Sequence, residues 1–64
     1  MLVEFEIAKY KNKVTINTNQ IVSVWDKGTE TLIRVAENGG QSIIVGEAYA
    51  DVITKITQTE VVPV

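Results

Sequence analysis

Apolar and polar residues alternate with a period of two through most of the chain before residue 46. Between Leu2 and Lys9, the apolar residues Val3, Phe5 and Ile7 fall on one face, and acidic residues fall on the other. This is the pattern of an antiparallel β-strand with one face in the core and one face in water. The first two thirds of the chain are therefore predicted to form β-structure.

Turn signals divide this region into strands. Asn12 tolerates the positive φ of a tight hairpin, the amide-rich corner at residues 17–20 breaks the alternation, and Gly28 suits a hairpin loop. Asn38-Gly39 supplies the two residues that a type I′ turn requires. The predicted strands are residues 2–9, 14–17, 21–26, 31–37 and 41–45.

The third predicted strand is apolar on both faces. Ile21, Val22, Val24 and Trp25 are all apolar, and only Ser23 interrupts them. Strands of this kind are usually central in a sheet or covered on both sides. We therefore expect this strand to be central in its sheet or covered on both sides.

The period changes at Glu47 to that of an α-helix. Apolar residues recur at spacings of three and four, namely at Tyr49, Val52, Ile53 and Ile56. A helix is predicted over residues 47–57, with one stripe against the sheet. Asp51 and Lys55 are expected to form an ion pair one helical turn apart.

Residues 58–64 form an apolar tail, in which Pro63 disfavours helical structure for the residue before it. Such a tail can pack on its own sheet, add to a groove or edge of a neighbouring chain, or fray.

Together these elements predict a single α+β domain over residues 1–64, mostly β. The expected fold is a small twisted antiparallel sheet of about five strands, a hairpin plus a three-stranded meander, with one C-terminal α-helix. A chain of 64 residues buries only about 60% of the surface that its unfolded form exposes. Small domains usually compensate with disulfides, a metal or association.

The composition excludes two of these three means of stabilisation, disulfides and a metal site of the usual kind. The chain has no cysteine and no histidine, so a disulfide and a metal site built on thiolate or imidazole are both excluded. No cofactor is expected. Self-association is the remaining device, and a homo-oligomer is predicted.

Charge and hydropathy restrict the partners further. The net charge of −2 disfavours nucleic acid, which requires a basic surface. Lys9, Lys11 and Lys13 cluster around the first predicted turn, where they are typical of a solvated loop. No apolar run is long enough to cross a membrane, and the acidic N-terminal stretch is not typical of a signal peptide. A cytoplasmic protein with no membrane partner is predicted.

Catalytic constellations are not found in the sequence. Ser23 and Ser42 lie within predicted strands, without a general base nearby in sequence. Glu4 and Glu6 share a strand face about 7 Å apart, but at an exposed position they are typical of solubilising residues. We therefore predict that the protein is not an enzyme.

The remaining candidate is an interaction surface. Its proposed residues are Trp25, Tyr10, Arg34, Asn17, Asn19, Val61, Val62 and Val64. Aromatic residues are enriched at interface hot spots, although a single Trp in a small protein is also often part of its core. The leading hypothesis is a self-associating protein–protein interaction or accessory module that binds a further protein.

Two alternatives remain. The first is a small-molecule binding or sequestering protein whose pockets lie between subunits, lined by Asn17, Asn19, Gln20 and Arg34. The second, which acidity disfavours, is a nucleic-acid accessory protein that uses the lysines of the first loop with Tyr10 and Trp25.

The string Thr-Ile-Asn-Thr-Asn-Gln-Ile-Val-Ser-Val, followed by a hairpin, Asn-Gly-Gly, Ile-Ile-Val and a short helix, resembles the small flagellar FlbD-like (SwrD-like) proteins. Similar strings recur in small proteins of bacteria and their phages. The resemblance covers about residues 6–56. The matching positions are Asn17, Asn19, Ile21, Val24, Ile33, Gly39, Ile44, Val45, Val52 and Ile56. It implies a small cytoplasmic accessory protein that works by contact and has no catalytic residues. An accessory protein encoded by a phage or mobile element is the alternative to a flagellar role.

Overall fold

The computed structural model describes residues 1–60, without the side chains of residues 38 and 58–60. Within this range the elements are β1 (Leu2–Glu6), β2 (Lys13–Asn17), β3 (Ile21–Asp26), β4 (Thr31–Val35), β5 (Gln41–Val45) and α1 (Tyr49–Glu60). Short 3₁₀ turns cover Thr18–Gln20 and Glu37–Gly39. The predicted α+β class, with a hairpin, a meander and a C-terminal helix, is confirmed.

The strands form two antiparallel sheets. One holds β1 and β2, and the other has the order β3-β4-β5. The sheets meet where Ile7 bridges Val45. Beside this bridge, the Ala8 N–H donates to the Ile44 carbonyl at 3.0 Å, and the Gly46 N–H donates to the Glu6 carbonyl at 2.8 Å. Through this junction the described strands follow the order β2-β1-β5-β4-β3.

The core lies between the two sheets and the helix. Its fully buried hydrophobic residues are Val3, Phe5, Ile16, Ile33, Val35, Val45 and Val52. The alternation predicted for β1 is confirmed, because Val3 and Phe5 both face this core. Ile33 and Val35 of β4 face it as well. The helix begins and ends slightly later than predicted, and it contributes the fully buried Val52. No helix among residues 1–60 is long and apolar enough to cross a membrane.

β3 is an edge strand of its sheet, and Val22 and Trp25 on it are exposed, so the prediction of a strand that is central or covered on both sides is wrong. Its apolar pattern has another cause, a β-bulge. Ile21 pairs with Val35, and the next register pair is Ser23 with Arg34, which leaves Val22 as an extra residue. The bulge lets Ile21 and Val24 both pack against the core although they are three residues apart. Val22 is left 66% exposed.

The turns depart from the prediction in two places. In the β1–β2 loop, positive φ falls on Lys11 (57°) instead of Asn12. The loop closes early, since the Ile7 N–H donates to the Asn12 carbonyl at 2.7 Å and the Lys11 N–H donates to the Ile7 carbonyl at 2.9 Å. This closure ends β1 at Glu6, three residues before its predicted end.

Before β5, a 3₁₀ turn replaces the predicted type I′ turn, and the residues with positive φ are Gly39 and Gly40. Two consecutive glycines satisfy that geometry without the steric cost that a Cβ atom would impose. β4 accordingly ends at Val35 and not at residue 37.

Candidate interaction surface

One face of the three-stranded sheet points away from the core, and we call it the outer face. Its two cross-strand rows are Trp25–Leu32–Ile44 and Ser23–Arg34–Ser42. The first row is entirely apolar. Trp25 is 56% exposed and Ile44 is 39% exposed. Residues paired directly across strands lie close enough to interact, so each row forms a continuous strip.

Trp25 is held in a defined orientation on the outer face. Its indole Nε1–H donates to the Ser23 hydroxyl oxygen at 3.0 Å. Trp25 borders an open depression of about 490 Å³, lined also by Asp26, Lys27, Leu32, Arg34 and Ser42. The Asp26 carboxylate accepts the Gly28 N–H at 2.9 Å, which fixes the following turn. The structure thus brings together two of the predicted surface residues, Trp25 and Arg34.

The free edge of β3 adds backbone groups to this surface. Among the described strands, β3 has a neighbour only on its β4 side. The Lys27 N–H donates to the Glu30 carbonyl at 3.0 Å, so Lys27 and Glu30 form a hydrogen-bonded pair at the hairpin. Along an antiparallel ladder, residues with backbone groups directed toward the neighbouring strand alternate with residues whose groups are directed away from it. That alternation directs the N–H and C=O groups of Trp25 toward β4, and those of Val24 and Asp26 away from it.

The free edge of β1 is closed by two side chains, which we call the edge clasp. The Glu47 carboxylate accepts the Glu6 N–H at 3.1 Å, and the Lys55 ammonium donates to the Glu4 carbonyl at 3.0 Å. The two side chains also form an ion pair, with 2.6 Å between Lys55 Nζ and Glu47 Oε1. The clasp therefore occupies backbone groups that an added strand would need.

The edge clasp was not predicted from the sequence. Lys55 pairs with Glu47, which precedes the helix, and not with Asp51 as expected. Its Nζ also lies 5.2 Å from the centroid of the Phe5 ring. The buried Thr31 anchors the segment that carries Glu47, because its hydroxyl donates to the Glu47 carbonyl at 2.7 Å. The two backbone groups that the clasp binds lie far away in sequence, 41 positions between Glu6 and Glu47 and 51 between Glu4 and Lys55, so no local pattern could have identified these contacts.

The other predicted surface residues lie elsewhere. Tyr10 is 70% exposed in the β1–β2 loop, with Lys9 Nζ at 5.3 Å from its ring centroid. The Asn17 Oδ1 accepts the Asn19 N–H at 3.0 Å and the N-terminal ammonium of Met1 at 3.3 Å. Asn17 thus caps the corner, as its turn propensity predicts. The predicted contacts of Val61, Val62 and Val64 lie outside the described residues.

The described residues contain no group of three or more metal-ligating side chains placed to hold an ion. The comparisons give no further guide to function, since no family model, no curated protein and no solved structure matches this chain.

Proposed function

We propose that this protein is a non-catalytic protein–protein interaction module that self-associates and works as an accessory protein by contact. The observation that carries the proposal is the exposed apolar row on the outer face, which ends at Trp25 beside the free edge of β3. Exposed aromatic and aliphatic residues that form one contiguous strip are typical of interaction sites.

Two further observations support this function. The fully buried hydrophobic core of the described residues is small, so association would add to a limited amount of buried apolar surface. The resemblance to FlbD-like proteins also supports an accessory role in the bacterial cytoplasm, in a host cell or during phage infection.

The experiment is a measurement of mass against concentration by light scattering. The wild type is expected to exceed its monomer mass of 7.1 kDa as concentration rises. Trp25→Lys should shift this association to higher concentration by about tenfold or more, because a hot-spot residue is replaced by a charge. Leu2→Lys is the matched control, since Leu2 is 67% exposed on the other sheet. A wild type that stays monomeric, or equal effects of both variants, would refute the proposal.

A second candidate function is binding of a small anionic molecule in the depression beside Trp25. Its volume of about 490 Å³ is within the range of roughly 300–1,000 Å³ that ligand sites occupy. Arg34 would bind the anionic group and the indole would stack on an aromatic ring. A thermal-shift screen of nucleotides would test it. A response that disappears in Arg34→Gln supports this candidate, and a flat response refutes it.

A further inference from the structure

We propose that two copies of this protein pair through β3, antiparallel about a two-fold axis, with Trp25 of one copy directly opposite Trp25 of the other. The proposal deepens the self-association put forward above and depends on it. The two three-stranded sheets would become one continuous six-stranded sheet, and the partner for the outer face would be a second copy of this chain.

We choose β3 by comparing the free backbone groups and the exposed side chains at the edges of β1, β2 and β3. On β1, the edge clasp occupies the Glu4 carbonyl and the Glu6 N–H, and the groups that follow bond to β5. On β2, the exposed side chains include Lys13, and a lysine on an edge strand disfavours pairing. On β3, the exposed side chains are Val22, Trp25 and Asp26, and the bulge lies at the start of the strand, before Val24 and Asp26. β3 carries no lysine within the strand. β3 is therefore the edge that is best suited to receive another strand.

The direction of the free backbone groups restricts the register. Because Val24 and Asp26 direct their N–H and C=O groups away from β4, a second strand must pair with these residues. Two antiparallel copies can do this in three ways: Val24 opposite Val24, Asp26 opposite Asp26, or Val24 opposite Asp26. The last arrangement places Trp25 opposite Trp25.

Charge and the apolar row select among the three registers. Asp26 opposite Asp26 brings two carboxylates together, which is unfavourable for directly opposed residues. Val24 opposite Val24 places Trp25 against Ser23 and interrupts the apolar row. Val24 opposite Asp26 joins the two rows into a single strip, Ile44–Leu32–Trp25–Trp25–Leu32–Ile44, across six strands. It also places Lys27 opposite Ser23, so that no like charges are directly opposed.

The pair at Trp25 would be a non-hydrogen-bonded pair, in which the Cα atoms of opposed residues lie about 4.5 Å apart. Aromatic side chains interact favourably at such positions. Since Trp25 is the only tryptophan of the chain, an exciton couplet between tryptophans in the far-UV circular dichroism spectrum requires two chains. The couplet should therefore increase with concentration in parallel with the mass of the particle.

Disulfide trapping tests the register, since the chain contains no cysteine. In the proposed register Ser23 lies opposite Lys27 of the second copy, within the range of about 4.4–6.8 Å between Cα atoms that a disulfide spans. An equimolar mixture of Ser23→Cys and Lys27→Cys should give the mixed disulfide in clear excess of the statistical half. Neither variant alone should oxidise as fast as the mixture. Val24→Cys reports the competing register, because Val24 would then lie opposite itself.

The outcomes of these experiments distinguish the proposed Trp25 register from self-association in general. Excess mixed disulfide together with a concentration-dependent tryptophan couplet supports the Trp25 register. A particle of dimer mass in which Val24→Cys oxidises fastest, or in which the mixed disulfide stays at or below the statistical amount, overturns the register and leaves self-association in place. A wild type that remains monomeric at every concentration overturns both.

Discussion

The edge clasp should contribute measurably to stability, and Glu47 is the residue to change. Glu47→Ala removes both the ion pair to Lys55 and the carboxylate that accepts the Glu6 N–H. A hydrogen bond to a charged group contributes about 1.5–3 kcal/mol, and an exposed ion pair contributes about 0.2–1 kcal/mol. The Glu47 side chain is 19% exposed and that of Lys55 is 40% exposed, so solvent screening reduces both contributions. We expect a loss of about 2 kcal/mol, or a Tm lower by roughly 8–16 °C. Glu47→Gln keeps an acceptor and should cost about half as much.

Urea denaturation of a double-mutant cycle isolates the ion pair. Glu47→Gln and Lys55→Met, singly and together, should give a coupling energy of about 0.5–1 kcal/mol. Glu4→Gln with Lys13→Met is the matched cycle, because that pair is longer, at 3.5 Å, and its lysine and glutamate side chains are 68% and 58% exposed. Its coupling should be close to zero. Equal coupling in the two cycles, or a Glu47→Ala variant as stable as the wild type, would refute the assignment of the clasp.

Four further predictions concern local structure, each checked by the free energy of unfolding in urea. Ile33→Val should cost about 0.5–1.5 kcal/mol because Ile33 is 0% exposed, whereas Ile44→Val at a half-exposed site should cost less. Thr31→Val should cost about 1–2 kcal/mol, since it leaves a carbonyl without its 2.7 Å donor. Lys11→Gly should be neutral or stabilise by up to about 1 kcal/mol, because Lys11 has a φ of 57°; a clear loss of stability would contradict this. Deletion of Val22 should remove the bulge and preserve the core residues, so the variant should fold, with a stability within about 1 kcal/mol of the wild type; an unfolded product would show that the bulge is required.

Much of the fold could be predicted because its information is local. The alternation of β1 places Val3 and Phe5 in the core, and the change of period at Glu47 marks the approach to the helix. The corner after β2 was predicted from its amide side chains, and Asn17 does cap the backbone there. Each of these features depends on residues that are neighbours along the chain, where propensity and period are informative.

The parts that were missed depend on distant residues or on the backbone between strands. Glu6 and Glu47 are 41 positions apart, and Glu4 and Lys55 are 51 positions apart. The helical spacing of Asp51 and Lys55 predicted a local pair, but the edge of β1 offers Lys55 a carbonyl and a carboxylate together. A charged group gains more from two fixed acceptors than from one mobile side chain on an exposed helix face. The spacing of Asp51 and Lys55 in the sequence does not indicate which acceptors Lys55 contacts in the folded protein.

The bulge at Val22 explains why the apolar pattern of β3 led to a wrong prediction. It also shows which apolar residues of β3 the core does not explain. Four apolar residues suggested a strand buried on both faces, but the extra residue rotates Ile21 and Val24 onto the same side, where they pack against the core. Packing in the core therefore explains the apolar character of Ile21 and Val24. Val22 and Trp25 remain 66% and 56% exposed, and polar residues at both positions would leave the buried contacts of the described core unchanged. Neither side chain belongs to the buried core of residues 1–60, whereas pairing of β3 with a second copy would bury Trp25 and make use of the free backbone groups on either side of it.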